Sequence, residues 1–163
     1  MSNMLSNHPE EFRYLILALQ RQGSRQLNNL YSQLNLTNSQ AEAIEIVGNY
    51  GPMSTKEVGN YLICESGSPS RLLSTLAEKG ISRTAQSTTD KRTTLHALTP
   101  KGREILAQVS ELKDSFHKEL SSELSRASNL HPNNIFASFA YLLNDPYLKA
   151  AMHRRFPNVF DHL

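Results

Sequence analysis

The sequence predicts a mainly α-helical domain that carries one small β-hairpin and has a long helix at each end. Apolar residues recur at helical spacing over most of the chain, and hydroxyl or proline start signals punctuate it. One threonine-rich stretch near residues 81–98 breaks the helical pattern. At 163 residues the chain suffices for one domain and is short for two.

Phe12, Leu15, Ile16, Leu19, Leu27, Leu30, Tyr31 and Leu34 share the stripe of a long amphipathic helix within residues 8–35, with Gly23 and Ser24 as a place to bend. Thr37 stands three residues ahead of Gln40, the reciprocal arrangement that satisfies exposed amides at a helix start. A second helix is therefore expected over about 38–49. Gly51-Pro52 ends it. Ser54-x-x-Glu57 repeats the start signal and opens a third helix, about eight residues long, carrying Val58 and Leu62.

Ser66-Gly67-Ser68-Pro69-Ser70-Arg71 leads into Leu72, Leu73, Leu76 and Ala77, and Lys79-Gly80 stops the run. Pro69 loses no intrahelical bond if it lies in the first turn, so this fourth helix is expected to begin close to Ser66. Residues 81–86 and 93–98 then form a hairpin, with a long, mobile loop at 87–92. Thr99-Pro100 opens a long helix with an apolar seam of Ile105, Leu106, Val109, Leu112, Phe116, Leu120 and Leu124. A break at 129–132 precedes another helix with Ile135, Phe136, Phe139, Leu142 and Leu143. Asn144-Asp145-Pro146 ends that helix and leaves a short polar and aromatic tail.

Seventeen basic residues against fifteen acidic ones give a net charge of only +2, so any contact with a polyanion must come from uneven placement. Residues 71–103 hold seven cations (Arg71, Lys79, Arg83, Lys91, Arg92, Lys101 and Arg103) against Glu78 and Asp90, leaving the remainder net acidic. Such a basic stretch is the footprint expected of phosphate contact. No apolar run approaches the length of a membrane span, and no basic segment leads into one at the amino terminus. With a single cysteine, Cys64, the chain is expected to be cytoplasmic and to have no membrane role.

Two short helices joined by a tight turn and followed by a basic-tipped hairpin make a winged helix-turn-helix order of elements. In it, Ser66, Ser68, Ser70 and Ser74 are small enough to let a helix enter the major groove of double-stranded DNA, and Arg71 can reach guanine or phosphate. Lys91 and Arg92 lie at the loop tip, where a guanidinium suits the narrow minor groove, and Asp90 can hold the loop. Thr55 and Lys56, at the start of the third helix, can meet phosphate. The serines also fit a merely solvated helix face, and Arg92 a generic surface charge.

These residues resemble the MarR (multiple antibiotic resistance regulator) family of bacterial transcription factors. Leu36-Thr37-x-x-Gln40, Gly51-Pro52-x-Ser54-x-x-Glu57, Ser70-Arg71-Leu72-Leu73-x-x-Leu76-x-x-Lys79-Gly80, Asp90-x-Arg92 and Leu98-Thr99-x-x-Gly102 carry the resemblance, in that order and spacing. It implies a two-fold dimer interlocked through the terminal helices, a wing arginine in the minor groove, and binding modulated by small molecules or oxidants.

The expected organisation is one domain: an N-terminal dimerisation helix at 8–35, a winged helix-turn-helix DNA-binding lobe at 36–100, and C-terminal dimerisation helices and tail at 101–163. The expected function is a homodimeric, sequence-specific regulator, a repressor at a palindromic operator, that answers to an unidentified small-molecule effector. Tyr14, Tyr31, Tyr50 and Phe116 are candidates for an effector pocket, although each also fits core packing. The alternative is a winged-helix dimer that acts through a protein partner, or a stress sensor based on cysteine or metal. Cys64 is the redox candidate, although a small buried thiol beside the core is favoured. Glu111, Asp114 and His117 read as exposed helix charge rather than a metal site, so no metal or other cofactor is expected. No nucleophile elbow, phosphate-binding glycine loop, zinc-protease or dinucleotide motif is present, which argues against an enzyme.

Overall fold

A computed structural model of the chain describes residues 8–64, 67–126, 135, 139–141, 143 and 145–160. It divides into two compact units, residues 1–38 and 39–163. In the first, α1 (Pro9–Ser32) starts with proline in its first turn and runs as one helix through Gly23 and Ser24. Gln20 Nε2 donates to Ser24 Oγ at 3.0 Å across that point. Beyond its end, Asn35 adopts a left-handed φ of 54°, which asparagine tolerates better than most side chains. The Leu34 and Leu36 amides both donate to the Tyr31 carbonyl, closing the turn.

The second unit is built around α2 (Asn38–Tyr50), which buries seven consecutive residues from Ala41 to Val47. A helix covered on every side lies in the interior rather than on its edge. The chain then forms β1 (Met53–Ser54), α3 (Thr55–Gly59), α4 (Pro69–Glu78), β2 (Ser82–Gln86), β3 (Thr94–Leu98), α5 (Pro100–Arg126), α6 (Pro146–Arg155) and α7 (Pro157–Phe160). The sheet is antiparallel in the order β1-β3-β2, with Met53 opposite His96 and Ser82 opposite Leu98. Ile44, Ile46, Val58, Leu73, Leu76 and Val109 form the fully buried core. This is a winged-helix fold.

Two joints fix the carboxy-terminal end of α4. At the end of α4, Gly80 takes φ +70°, the Ile81 amide donates to the Leu76 carbonyl and the Gly80 amide to that of Ala77, a Schellman closure. At the start of α5, Thr99 Oγ1 accepts the Gly102 amide at 3.0 Å and donates to the Gly80 carbonyl at 2.7 Å. Gly102 passes so close to β2 that an added Cβ would lie 2.0 Å from the Ile81 carbonyl oxygen. One knot thus ties the end of the fourth helix to the beginning of the fifth.

Several sequence expectations need correction. The third helix has five residues rather than about eight, and beyond it the Tyr61 amide closes a tighter turn onto the Val58 carbonyl three residues back. The fourth begins at Pro69 rather than near Ser66, since the residue before a proline is sterically kept from helical backbone and Ser68 is extended, at ψ 115°. The strand β1 was not anticipated. The carboxy-terminal tail is helical rather than irregular: Asp145 accepts the Tyr147 and Leu148 amides at 2.9 Å and Pro146 follows it, the same kind of start signal as Thr99-Pro100. The expected break at 129–132 and most of the helix around Phe136 and Leu142 lie outside the described residues.

Gly102→Ala is expected to destabilise the fold by about 1–3 kcal/mol through overpacking against backbone. Gly23→Ala, where an added Cβ meets nothing within 4 Å, is expected to gain up to about 1 kcal/mol of helix propensity. Urea midpoints of the two variants should therefore move in opposite directions, and a shared direction would contradict the packing described.

Candidate nucleic-acid interface

The helix α4 has two faces because its leucines lie on one side. Leu72, Leu73 and Leu76 are buried, while Ser70, Arg71 and Ser74 are exposed, with Ser68 exposed at the N-cap. The Ser68 side chain makes no capping bond, and Ser66 lies outside the described residues. The exposed face is small and polar apart from one guanidinium, the character needed to enter a groove and touch base edges.

The turn between α3 and α4 is held from α2. Glu42 is only 4% exposed, and its two carboxylate oxygens accept the Ile63 amide at 3.0 Å and the Cys64 amide at 2.8 Å. Arg155 forms an ion pair with the same carboxylate. Sequence reading missed Glu42 and its partners. A glutamate inside an apolar helix is the only signal the sequence offers for it, and nothing in its spacing names the partners.

At the start of α3 a full capping box is present. Ser54 Oγ accepts the Glu57 amide, and the Glu57 carboxylate accepts the Ser54 amide at 2.7 Å. That backbone hydrogen bond, followed by the one from the Ser54 hydroxyl, holds the Glu57 carboxyl below its usual range. Thr55 is not a free phosphate ligand, because its Oγ1 lies 2.9 Å from His96 Nε2 on β3. Lys56 remains exposed.

The wing tip is internally bonded rather than an open loop. The Ser87 amide donates to the Thr93 carbonyl, and the Thr93 amide to the Asp90 carbonyl, both at 2.9 Å. Asp90 accepts the Arg92 amide at 3.0 Å and the Thr93 hydroxyl at 2.9 Å. These bonds, the backbone one foremost, lower its pKa. Lys91 and Arg92 are left exposed at a shaped tip.

The basic stretch divides by role. Lys79 Nζ donates to Gln40 Oε1 at 3.0 Å and Lys101 Nζ to the Lys79 carbonyl at 2.8 Å, so both brace the fold. Arg71, Arg83, Lys91 and Arg92 are exposed. Arg83 on β2 joins the candidate interface. Its signal was that it is the one charged residue of β2, in which every residue after Ser82 is exposed.

The remaining candidates separate. Tyr14 and Tyr31 belong to the first unit, Tyr14 exposed beneath the Arg13 guanidinium at 4.3 Å and Tyr31 buried. Tyr50 and Phe116 belong to the second unit. Tyr50 stacks on Tyr61, with ring centroids 4.7 Å apart, and borders a cleft of about 160 Å³ shared with Asn49, Phe156 and the Glu45–Lys113 ion pair. Phe116 is half-buried and does not line that cleft. Cys64 is exposed, not the buried thiol expected, because it lies in a surface turn whose amide Glu42 holds. Among the described residues no three His, Cys, Asp or Glu side chains converge on a metal position, and no helix is long and apolar enough to cross a membrane.

Residues 36–102 match a family model described as a winged helix DNA-binding domain. A mutant MarR from E. coli, solved in complex with operator DNA, is 26% identical and superposes with a TM-score of 0.66 over 87% of this chain and 96% of that one. The chain carries a winged-helix DNA-binding domain and is similar to MarR-family transcription regulators. Two further structures share the fold. A MarR-like transcription regulator from Bacillus cereus is 20% identical, with a TM-score of 0.67 over 83% of this chain and 94% of its own. MepR from S. aureus, bound to DNA, is 19% identical, with a TM-score of 0.70 over 81% of this chain and 95% of its own. No curated protein sequence matches the chain. The matched residues include α4 and the wing.

His96 ties that wing to α3 and responds to acid. It is 7% exposed, its Nδ1 has no partner among the described atoms, and burial holds its pKa below the ordinary 6.5. Above that value both folded and unfolded chains carry neutral imidazole. Below it the unfolded chain gains a proton that the folded chain resists, so stability falls as pH drops. Urea midpoints at about pH 7.5 and about pH 5.5 should differ less in His96→Gln than in wild type; an equal difference would contradict this assignment.

Proposed function

We propose that this regulator is a homodimeric repressor that binds a palindromic operator through α4 and the wing, with its DNA affinity set by a small-molecule ligand. The observation that carries the reading is the exposure of Ser70, Arg71 and Ser74 on the side of α4 opposite its buried leucines. The same unit carries a wing tip in which Asp90 bonds leave Lys91 and Arg92 free of the loop's own backbone. In this reading the serines and Arg71 read base edges in the major groove. Arg92 enters the minor groove, and Lys56, Arg83 and Lys91 meet phosphates.

Dimerisation is supported by apolar side chains that single elements leave in water. On α1, Tyr14 is 54% and Leu19 55% exposed, and toward the end of α5 Leu124 is 55% exposed. Patches of this kind on long helices favour burial against a second copy, and closed two-fold symmetry is the commonest outcome. Half-sites then lie about one helical turn, ~10 base pairs, apart. The cleft beside Tyr50 supports the ligand part of the reading, with mixed polar and aromatic walls suited to a small polar molecule.

Two measurements test these statements. Arg92→Ala should weaken binding to every duplex and lower the slope of log affinity against log salt by about one, whereas Arg71→Ala should also relax base preference. An unchanged slope in Arg92→Ala would overturn the wing assignment. Sedimentation at micromolar concentration should give a dimer, and a folded monomer would overturn the symmetric reading.

A further inference from the structure

The carboxy-terminal helices fall outside the family model's residues, yet α6 is built into the same unit as the reading helix. Ala151 is 2% exposed and anchors α6, Asp145 caps its start, and His153 meets Phe160 of α7 edge-on, with ring centroids 5.9 Å apart. Its last turn is basic, and two consecutive arginines leave it in the direction of one short segment.

Arg154 Nη1 donates to the Asn60 carbonyl at 3.0 Å. Asn60 is the C-cap of α3, where carbonyls lack intrahelical partners and the helix dipole favours a cation. Arg155 pairs with Glu42, whose oxygens hold the Ile63 and Cys64 amides. The first arginine therefore grips the beginning of the α3–α4 turn, and the second, through Glu42, grips the turn at Ile63 and Cys64. A carboxylate this buried needs both its hydrogen bonds and its counter-charge. Removal of Arg155 would leave an uncompensated charge behind the turn, which water or rearrangement must then satisfy.

We propose that Arg154 and Arg155 are positioning residues for DNA recognition, setting the pose of α4 through the Asn60 carbonyl and Glu42. The carboxy-terminal segment is thus a determinant of DNA affinity without touching DNA. This rests on the assignment of α4 as the reading helix.

Full-length wild type, Arg155→Ala, Arg155→Lys, Glu42→Gln and the Glu42→Gln/Arg155→Ala pair distinguish the possibilities. By amide exchange, Ile63 and Cys64 should open faster in Arg155→Ala by about tenfold, while the core amides of α2 keep their protection. DNA affinity should fall about tenfold with an unchanged salt slope, because no phosphate contact is lost. Arg155→Lys, which keeps the charge, should recover most of the loss, and in the Glu42→Gln background Arg155→Ala should change little.

Unchanged exchange at Ile63 and Cys64 would overturn the proposal whatever happens to DNA binding. A salt slope reduced by about one would overturn it in favour of direct phosphate contact. Faster exchange with wild-type affinity would overturn the link to recognition. Loss of protection in the core amides would overturn it in favour of general unfolding. Failure of the wild type to bind any duplex would overturn the DNA-reading assignment itself, and with it this proposal.

Discussion

A buried carboxylate between two amides and a guanidinium is the interaction on which the recognition lobe depends. Glu42 lies in the most enclosed helix of the unit, and its oxygens fix the backbone just where the chain turns from α3 toward α4. A turn is the least constrained part of a helix-turn-helix. Its shape decides how far, and at what angle, the second helix projects. Hydrogen bonds to an ionised acceptor are stronger than those between neutral groups, and their value rises where water is excluded. Burial makes the same interaction unforgiving, because every partner of the carboxylate has to remain in place.

The opposite end of α4 is fixed by different means. Gly80, Thr99 and Gly102 join the end of the helix, the entry to β2 and the start of α5 through backbone hydrogen bonds and a contact too close for any side chain. With its carboxy-terminal end tied to β2 and α5, α4 commits its leucines to the core. The other face is then a fixed array of serines and one arginine. The wing follows the same logic on a smaller scale. The Asp90 carboxylate takes up the Arg92 amide and the Thr93 hydroxyl of its own loop, so Lys91 and Arg92 emerge from a shaped tip. A charge presented from a pre-shaped loop loses less conformational entropy on meeting a phosphate than one on a flexible loop.

Much of this was legible in the sequence, because local chemistry dictated it. Ser54-x-x-Glu57, Lys79-Gly80 and Thr99-Pro100 are start and stop signals with partners within a few residues, and each marks an element where the structure has one. The hairpin was visible for the same reason. What was not legible depends on partners far apart in sequence. Glu42 and Arg155 are separated by 113 positions, and Thr55 and His96 by 41, so no spacing rule links them. The strand β1 has two residues and exists only because β3 offers it an edge. The carboxy-terminal helices were missed although Asp145-Pro146 carries a start signal, since their weak apolar pattern contributes little besides Ala151 to the interior. Cys64 was expected inside because cysteine is often buried, whereas here the Glu42 carboxylate holds its amide in a turn at the surface and the residue is exposed.

The central claim is that one lobe of this chain reads DNA sequence. Fluorescence anisotropy with the regulator's own promoter region and a scrambled duplex of the same composition, each at two salt concentrations, tests it most directly. Tight, salt-sensitive binding with a clear preference for the promoter is the predicted result. Equal affinity for both duplexes, or no binding at low salt, would contradict it.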